Sequence, residues 1–343
     1  MSSRRNRFHK KKQKPQQNRQ QQQIQTPRPS PSVTPPTAPV IQMSGDFDLS
    51  YARAATITTK TFRTIEIYLV GCGGTGSFLA LHLSRIAKTL VEHGIGTHVF
   101  FVDPDTVEDK NIGRQHFCFA EIGLSKSETL SRRYGHAFGI NTSAFKEKFN
   151  EDMFYRRADL ALMVGCVDNA EARNEINETL QTNEELFGEE LPMVWYLDCG
   201  NGRESGQVTL GSSLTLAELE GSFPDSHICH VLPSPMIQHP ELLTPRPEEL
   251  SVTNMSCAEM MLANLQSLNL NAAIAVQAAE MITQLLITKD LTRHSIEINL
   301  KAGSTKAYYT TPEEISRITR KPVDFLRANL DNLINQEAMR AMV

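Results

Sequence analysis

The chain has 343 residues, 40% of them hydrophobic and 22% charged, with a formal net charge of −4. That is enough apolar material for one large or two modest packed domains. No uninterrupted apolar run approaches the roughly 18 residues that span a bilayer, and the start lacks the apolar stretch of a secretory signal, so a cytoplasmic protein without membrane contact is expected.

The charge is unevenly placed. Residues 1–45 hold nine Lys or Arg and no acid, which leaves the remainder near −13 and disfavours broad nucleic-acid binding by it. The same stretch has a glutamine-rich run, Gln20 to Gln25, and prolines from Pro27 to Pro39. Such a composition buries too little apolar surface to offset the entropy of ordering it. Residues 1–45 are therefore predicted as a disordered basic tail, either solubilising or in contact with nucleic acid or an acidic partner.

The folded pattern begins at Ile65-Glu-Ile-Tyr-Leu-Val70, a buried strand by its apolar, β-branched character. The glycine turn Gly71 to Ser77 follows at once, and then a helix whose apolar face carries Phe78, Leu79, Leu81, Leu83, Ile86, Leu90 and Val91. A second strand, His98 to Val102, ends in Asp103-Pro104-Asp105. Beyond it the pattern predicts a helix over Ser127–Ala137, a strand near Ser143–Phe149, a buried strand over Leu160–Val164 and a helix after Asp168. Strands over Val194–Leu197 and Gly206–Gly211 come next. This alternation implies an α/β fold, doubly wound around a mainly parallel sheet with helices on both faces.

Residues 221–255 interrupt the rhythm with six prolines, and long irregular segments of this kind are often functional. A long helix is predicted from Cys257 to about Ile287, broken near Asn269–Asn271, then a hairpin over Ser295–Leu300 and Thr305–Thr310. The expected organisation is a tail at 1–45, a nucleotide-binding domain at 46–311 with its crossover loop at about 221–255, and a C-terminal helical appendage at 312–343.

The six cysteines form no CxxC pair, so no structural zinc site is predicted. Two of them are candidate nucleophiles. Cys257 follows Ser256 in a Ser-Cys-Ala-Glu capping box, which would put its thiol at a helix N-terminus where the thiolate is favoured. Cys229 lies in the proline-rich loop between His227 and His230. A structural role is the competing reading for each.

The glycine turn has the GxGxxG form, with Gly71, Gly73 and Gly76. Glycines let the backbone approach a phosphate while the helix N-terminus offers unpaired N–H groups to it. A nicotinamide or flavin enzyme would show the same turn and an acid after the second strand, so these features alone leave dehydrogenase and adenylate-forming enzyme level. Arg114 and, in Gly123-Leu-Ser-Lys126, Lys126 shift the balance. A dinucleotide enzyme has no evident need for both, whereas a triphosphate under attack does. Asp168 ends a later strand at the same sheet edge, where a carboxylate could hold Mg²⁺ against phosphates.

The complete series is Gly71-x-Gly73-Gly74-x-Gly76, then Asp103-x-Asp105-x-Val107-x-x-x-Asn111-x-x-Arg114-Gln115, then Gly123-x-x-Lys126, then Asp168-Asn-Ala-Glu-Ala-Arg173. In kind and order it resembles the ThiF, MoeB and ubiquitin-activating-enzyme family over about residues 63–290. The wording around Gly71 and Arg114 looks most like the PRTRC-system ThiF branch. The resemblance implies a Rossmann-like adenylation domain that uses ATP and Mg²⁺ to activate the C-terminus of a small ubiquitin-like protein with a glycine-rich tail. In some members of that family thioester formation or sulfur transfer follows. By the same resemblance Gly71, Gly73, Gly74 and Gly76 line the phosphates, Asp103 holds ribose and Asp105 supports the loop. Asn111, Arg114 and Gln115 surround the phosphates, Lys126 stabilises the transition state and Asp168 binds Mg²⁺. Relatives form homodimers, some completing the site with a partner arginine, for which Arg53 and Arg63 are the candidates here. An NAD(P)-dependent oxidoreductase and a catalytically silent binding module are the alternatives.

Overall fold

The computed structural model describes residues 49–186, 191–202, 205–244 and 257–327, with backbone alone for 185–186 and 257–268. The basic tail, part of the crossover, Ser256 and residues 328–343 lie outside the described residues.

An eight-stranded sheet organises the described residues. Its parallel half is built from β2 (Thr64–Val70), β3 (Gly96–Val102), β4 (Asn141–Phe145), β5 (Leu160–Gly165) and β6 (Val194–Asn201), in the spatial order β4-β3-β2-β5-β6. Beyond β6 the sheet continues antiparallel through β7 (Ser205–Gly211), β9 (Arg293–Asn299) and β10 (Ser304–Tyr309). The hairpin expected from the pattern is therefore β9–β10. A separate parallel pair joins β1 (Thr56–Ile57) to β8 (Ile228–Cys229), inside the segment expected to be an irregular crossover.

Period-two burial on both sides of β2 explains why it is central. Ile65, Ile67 and Leu69 enter one core with Val99, Phe101, Leu162 and Trp195, while Tyr68 and Val70 enter a second with Phe100, Met163 and Tyr196. A strand sealed on both faces reads as a continuous apolar run. Glu66 is the exception in that run. It is buried and accepts a hydrogen bond from the Tyr68 hydroxyl at 3.0 Å.

Helix α1 (Gly74–Glu92) and α2 (Lys126–Phe138) cover the first face, and α3 (Ala170–Glu178) the second. After the short α4 (Pro235–Gln238), the long α5 (Cys257–Thr283) packs on α1, β6 and β7 and closes in a π-helical turn at Gln284–Thr288. The expected break at Asn269–Asn271 is absent. The helix runs through it because Leu270 and Ile274 are buried in the core and Asn271 meets polar partners. The segment Asn269–Thr288 is long and apolar enough to cross a membrane, but here its Leu270, Ile274, Ala278, Met281, Ile282 and Leu285 face the protein core.

Two further helices, α6 (Pro312–Thr319) and α7 (Val323–Leu326), follow β10. Their Ile315 and Leu326 join the main core, and the Phe223 N–H donates to Leu326 O at 2.8 Å. The described part of the expected appendage is thus tied to the body.

His294 on β9 yields a pH prediction. Gln238 donates through Nε2 to Leu210 O and Pro233 O, so its Oε1 must accept from His294 Nδ1 at 2.7 Å. That fixes the neutral tautomer and leaves the buried Nε2 without a hydrogen-bond partner among the described residues. Burial lowers the His294 pKa to about 4, an effect opposed by Glu314 and aided by His239 and Arg317. Because the unfolded chain binds this proton and the folded chain does not, stability falls as pH drops from the ordinary histidine value towards 4. The penalty approaches about 3 kcal/mol at the acid end of that window, at 1.36 kcal/mol per pH unit. In urea titrations at pH 7.5 and 5, the stability of His294→Gln relative to wild type should rise at the lower pH. An unchanged difference would refute the neutral, buried imidazole.

Candidate active site

Strand order reverses direction between β2 and β5, and open α/β sheets bind ligands at such a point, outside the carboxyl ends of the strands. A cavity of about 680 Å³ lies there, bordered by the ends of β2, β3, β5 and β6. Gly71, Gly73 and Gly74 line it, together with Asp103, Asp105, Asn111, Arg114, Gln115, Lys126 and Asp168. Ten residues singled out along almost a hundred positions of chain thus meet in one place.

The glycine turn is shaped by close approaches. Gly71 sits at φ +89°, and a Cβ there would lie 2.6 Å from Cys166 O. Gly76 does not line the cavity. A Cβ on it would fall 1.8 Å from Gly71 O, so its role is to let α1 start tightly against the turn. Gly73, just before α1, is different, since its ideal Cβ meets only Gln115 Nε2 at 3.8 Å. Gly76→Ala should therefore cost stability, by about 1–3 kcal/mol or more for forced overpacking. Gly73→Ala should fold normally and instead narrow the approach to the α1 N-terminus, weakening anion binding there. Thermal melts with and without nucleotide separate the two outcomes.

Asp103 is nearly buried at the end of β3. Its Oδ2 accepts from the Cys72 N–H at 2.6 Å and its Oδ1 from the Asp105 N–H at 2.8 Å. Burial raises its pKa, against the lowering effect of those two N–H groups. The carboxylate pins the glycine turn to the β3 exit, and each oxygen retains a second acceptor direction for a ligand hydroxyl.

The segment after β3 is held just as firmly. Asn111 is buried, and its Oδ1 accepts from the Glu108 N–H at 2.8 Å. Its carbonyl receives the N–H groups of Arg114 and Gln115 at 3.2 and 2.9 Å. His116 anchors the next step by stacking on Phe78 of α1 and donating its N–H to Ser77 Oγ at 2.9 Å. Gln115 lines the cavity, and its buried Oε1 has no hydrogen-bond partner among the described residues. Lys126, the first residue of α2, has a side chain only 6% exposed, and its Nζ reaches Asp105 at 2.8 Å. Two other cavity cations are also held by carboxylates, Lys110 by Glu108 at 2.9 Å and Lys148 by Glu171 at 3.5 Å.

Asp168 is exposed just past β5, and Asn169 caps α3 by accepting from the Ala172 N–H at 2.9 Å. Arg173, inside α3, reaches back beneath this turn to donate to Val167 O at 2.8 Å and to Asp198 at 3.1 Å.

Of the two candidate thiols, Cys229 is not among the cavity residues. Cys229 is fully buried in β8, its Sγ donating to Val231 O at 3.4 Å, and burial drives its pKa far above the ordinary thiol range. The reading of Cys229 as a loop nucleophile is corrected accordingly: pairing of β8 with β1 makes it a packing residue. Cys257 begins the described part of α5, and its side chain lies outside the described residues. Arg53 and Arg63 are exposed and do not line the cavity of their own chain.

Residues 48–187 match the model of the ThiF family. Over that stretch the chain is similar to the ThiF family. Ubiquitin-like modifier-activating enzyme 5 of Dictyostelium discoideum is 34% identical over 133 residues, 35% of this chain and 33% of that protein. The ATP-dependent ubiquitin transferase-like protein Cap2 of Escherichia coli (strain TW11681) is 26% identical over 177 residues, 48% of this chain and 28% of that protein. Among solved structures, E. coli MccB with ATP aligns over 73% of this chain and 64% of its own, at 17% identity and a TM-score of 0.43. The chain spans about a third of the length of the first of these curated relatives.

The cavity also has walls that the motifs do not contain. Lys148, Phe149 and Asn150 line it because β4 ends at Phe145, four residues before the end expected from the pattern. Asn271 arrives from α5, its Oδ1 accepting from Thr75 Oγ1 at 3.2 Å and from Asn201 Nδ2 at 2.6 Å. A polar residue interrupting the apolar α5 pattern was the available signal.

Proposed function

We propose that this chain adenylates the C-terminal carboxylate of a small ubiquitin-like protein. The carboxylate attacks the α-phosphorus of ATP, the α–β phosphoanhydride bond breaks, and pyrophosphate leaves. The observation that carries this reading is the meeting of Arg114, Gln115, Lys126 and Asp168 with the glycine turn in one cavity. A hydride-transfer enzyme has use for the glycine turn and Asp103 but none for that set. The match of residues 48–187 to the ThiF family supports adenylation-type chemistry, and the names of the relatives support a small protein partner.

In this reading the N–H groups at the start of α1 receive phosphate oxygens and Asp103 receives ribose hydroxyls. Lys126 is held by Asp105 in the protein alone, and the entering triphosphate takes over part of that contact. Fixed in this way, the ammonium needs little reorganisation when charge builds at the α-phosphate. Arg114 and Gln115 hold the other phosphate oxygens and orient the incoming carboxylate, so most of the rate comes from positioning. Mg²⁺ enters as part of the nucleotide. A hard cation that retains several waters and takes one or two carboxylates plus phosphate oxygens suits the exposed Asp168.

Mg·ATP should raise the melting temperature well above any effect of NAD(H), through selective binding to the folded state. ATP–pyrophosphate exchange dependent on an added ubiquitin-like protein from the same source is the direct test. A larger, Mg²⁺-independent shift with NAD(H) would move the assignment to an oxidoreductase.

A further inference from the structure

The wall of the cavity contains a pair of thiols that adenylation does not use. Cys166 follows β5 directly and Cys199 lies in β6, both line the cavity, and they stand beside one another in the sheet. The last register pair of the parallel β5–β6 ladder is Gly165 with Asp198, so Cys166 and Cys199 occupy the next position along. Neighbouring parallel strands run about 4.8 Å apart. That separation falls within the roughly 4.4–6.8 Å between Cα atoms that a disulfide accepts.

Both side chains point to the same face. Cys199 is buried in the core that contains Trp195 and Leu197, and Cys166 packs against that core from the cavity side. The ladder position brings the two sulfurs close enough to interact. The hydrogen bond to Cys166, reinforced by burial, holds the Cys199 pKa well above the ordinary range. The other cysteines with described side chains are placed differently. Cys72 and Cys229 are buried against backbone carbonyls, while Cys118 is exposed.

We propose that Cys166 and Cys199 are a peroxide-sensitive dithiol that closes into a disulfide across the cavity wall. Cys166, only half-buried, is the entry point. Its thiolate attacks one peroxide oxygen, the S–O bond forms as the O–O bond breaks, and the departing hydroxide takes a proton to become water. The Cys199 sulfur then attacks the Cys166 sulfenic acid. The S–S bond forms, the S–O bond breaks, and the Cys199 proton leaves with the hydroxyl as a second water. Peroxide is reduced by two electrons and the two thiols are oxidised by two. A thiol as weakly acidic as Cys199 attacks slowly in free solution. Here proximity to Cys166 supplies the effective concentration.

The position gives the bond consequences for the site. The Cys166 carbonyl is what forces Gly71 to be glycine, and Asp168 is two residues further along. A disulfide at Cys166 therefore fixes the strand edge between the glycine turn and the carboxylate assigned to Mg²⁺.

The test uses the reduced full-length protein without nucleotide, titrated with hydrogen peroxide, then alkylated and mapped by mass spectrometry without reduction. The expected product is a Cys166–Cys199 linked peptide, two hydrogens lighter than the sum of its parts and reversed by dithiothreitol. It should appear at peroxide doses that leave most of the exposed Cys118 alkylated. In Cys199→Ala the reaction should stop at a Cys166 sulfenic acid, trapped by dimedone. Wild-type protein in which both thiols remain alkylated after Cys118 is oxidised would overturn the proposal. So would dimedone capture of wild-type Cys166 with no linked peptide. A parallel arm with Mg·ATP rests on the nucleotide reading, because a bound nucleotide should shield Cys166. If the linked peptide forms equally fast there, the nucleotide's placement at this wall fails while the dithiol stands.

Discussion

Lys126→Ala is expected to reduce ATP–pyrophosphate exchange by about 10²-fold or more, the scale of losing one fixed donor aimed at developing charge. The ammonium is almost fully enclosed yet its counterion, Asp105, has a side chain 63% exposed. Removing the cation therefore leaves a carboxylate that water can solvate, and an ion pair with one exposed partner contributes little to stability. The deficit should appear in turnover, with the urea midpoint close to wild type. Arg114→Ala should behave similarly, since Arg114 sits on a loop fixed by Asn111 and His116 rather than in either core. Asp168→Asn should impair the Mg²⁺-dependent reaction without a stability cost, its side chain being exposed. Near-wild-type exchange in all three variants would remove the adenylation assignment, whatever their nucleotide affinity.

These residues were legible in the sequence because each is fixed by local chemistry. Gly71 and Gly76 have to be glycine where the backbone touches itself, Asp103 has to end a strand, and Lys126 has to open a helix. The parallel half of the sheet was legible for a related reason. Strands buried on both faces carry an unbroken apolar run that survives without knowledge of their neighbours.

What escaped depended on distant partners. Asn271 looked like a helix breaker because nothing local shows that Thr75 and Asn201, about 200 and 70 positions away, supply its hydrogen bonds. Cys229 looked like a loop residue in a proline-rich stretch because its strand exists only by pairing with Thr56–Ile57. Cys166 and Cys199 are 33 positions apart, and only the parallel register of β5 with β6 puts them side by side.

Arg173 is expected to be the most damaging single position outside the two cores. The guanidinium is 2% exposed and Asp198 fully enclosed, with Nε donating to Asp198 Oδ1 at 3.1 Å. Burial alone would lower the arginine pKa, but the Asp198 carboxylate outweighs it and raises it. The Tyr196 hydroxyl donates to the same oxygen at 2.9 Å, and Asp198 Oδ2 has no hydrogen-bond partner among the described residues. Arg173→Met therefore leaves a buried carboxylate with one hydroxyl for company, which should cost about 3–5 kcal/mol. Asp198→Asn leaves the opposite orphan, a buried guanidinium. The double variant should be more stable than the additive sum of the two singles, because neither charge is then left unpaired. Arg173 also donates to Val167 O, so its loss loosens the turn that presents Asp168. At temperatures where Arg173→Met remains folded, its Mg²⁺ requirement should therefore rise, an effect that lost stability alone does not produce. Urea unfolding of the three variants, with exchange assayed across Mg²⁺ concentrations, reads both effects. A wild-type midpoint for Arg173→Met would show that the pair is dispensable to the fold, and an unchanged Mg²⁺ requirement would separate Arg173 from the Asp168 turn.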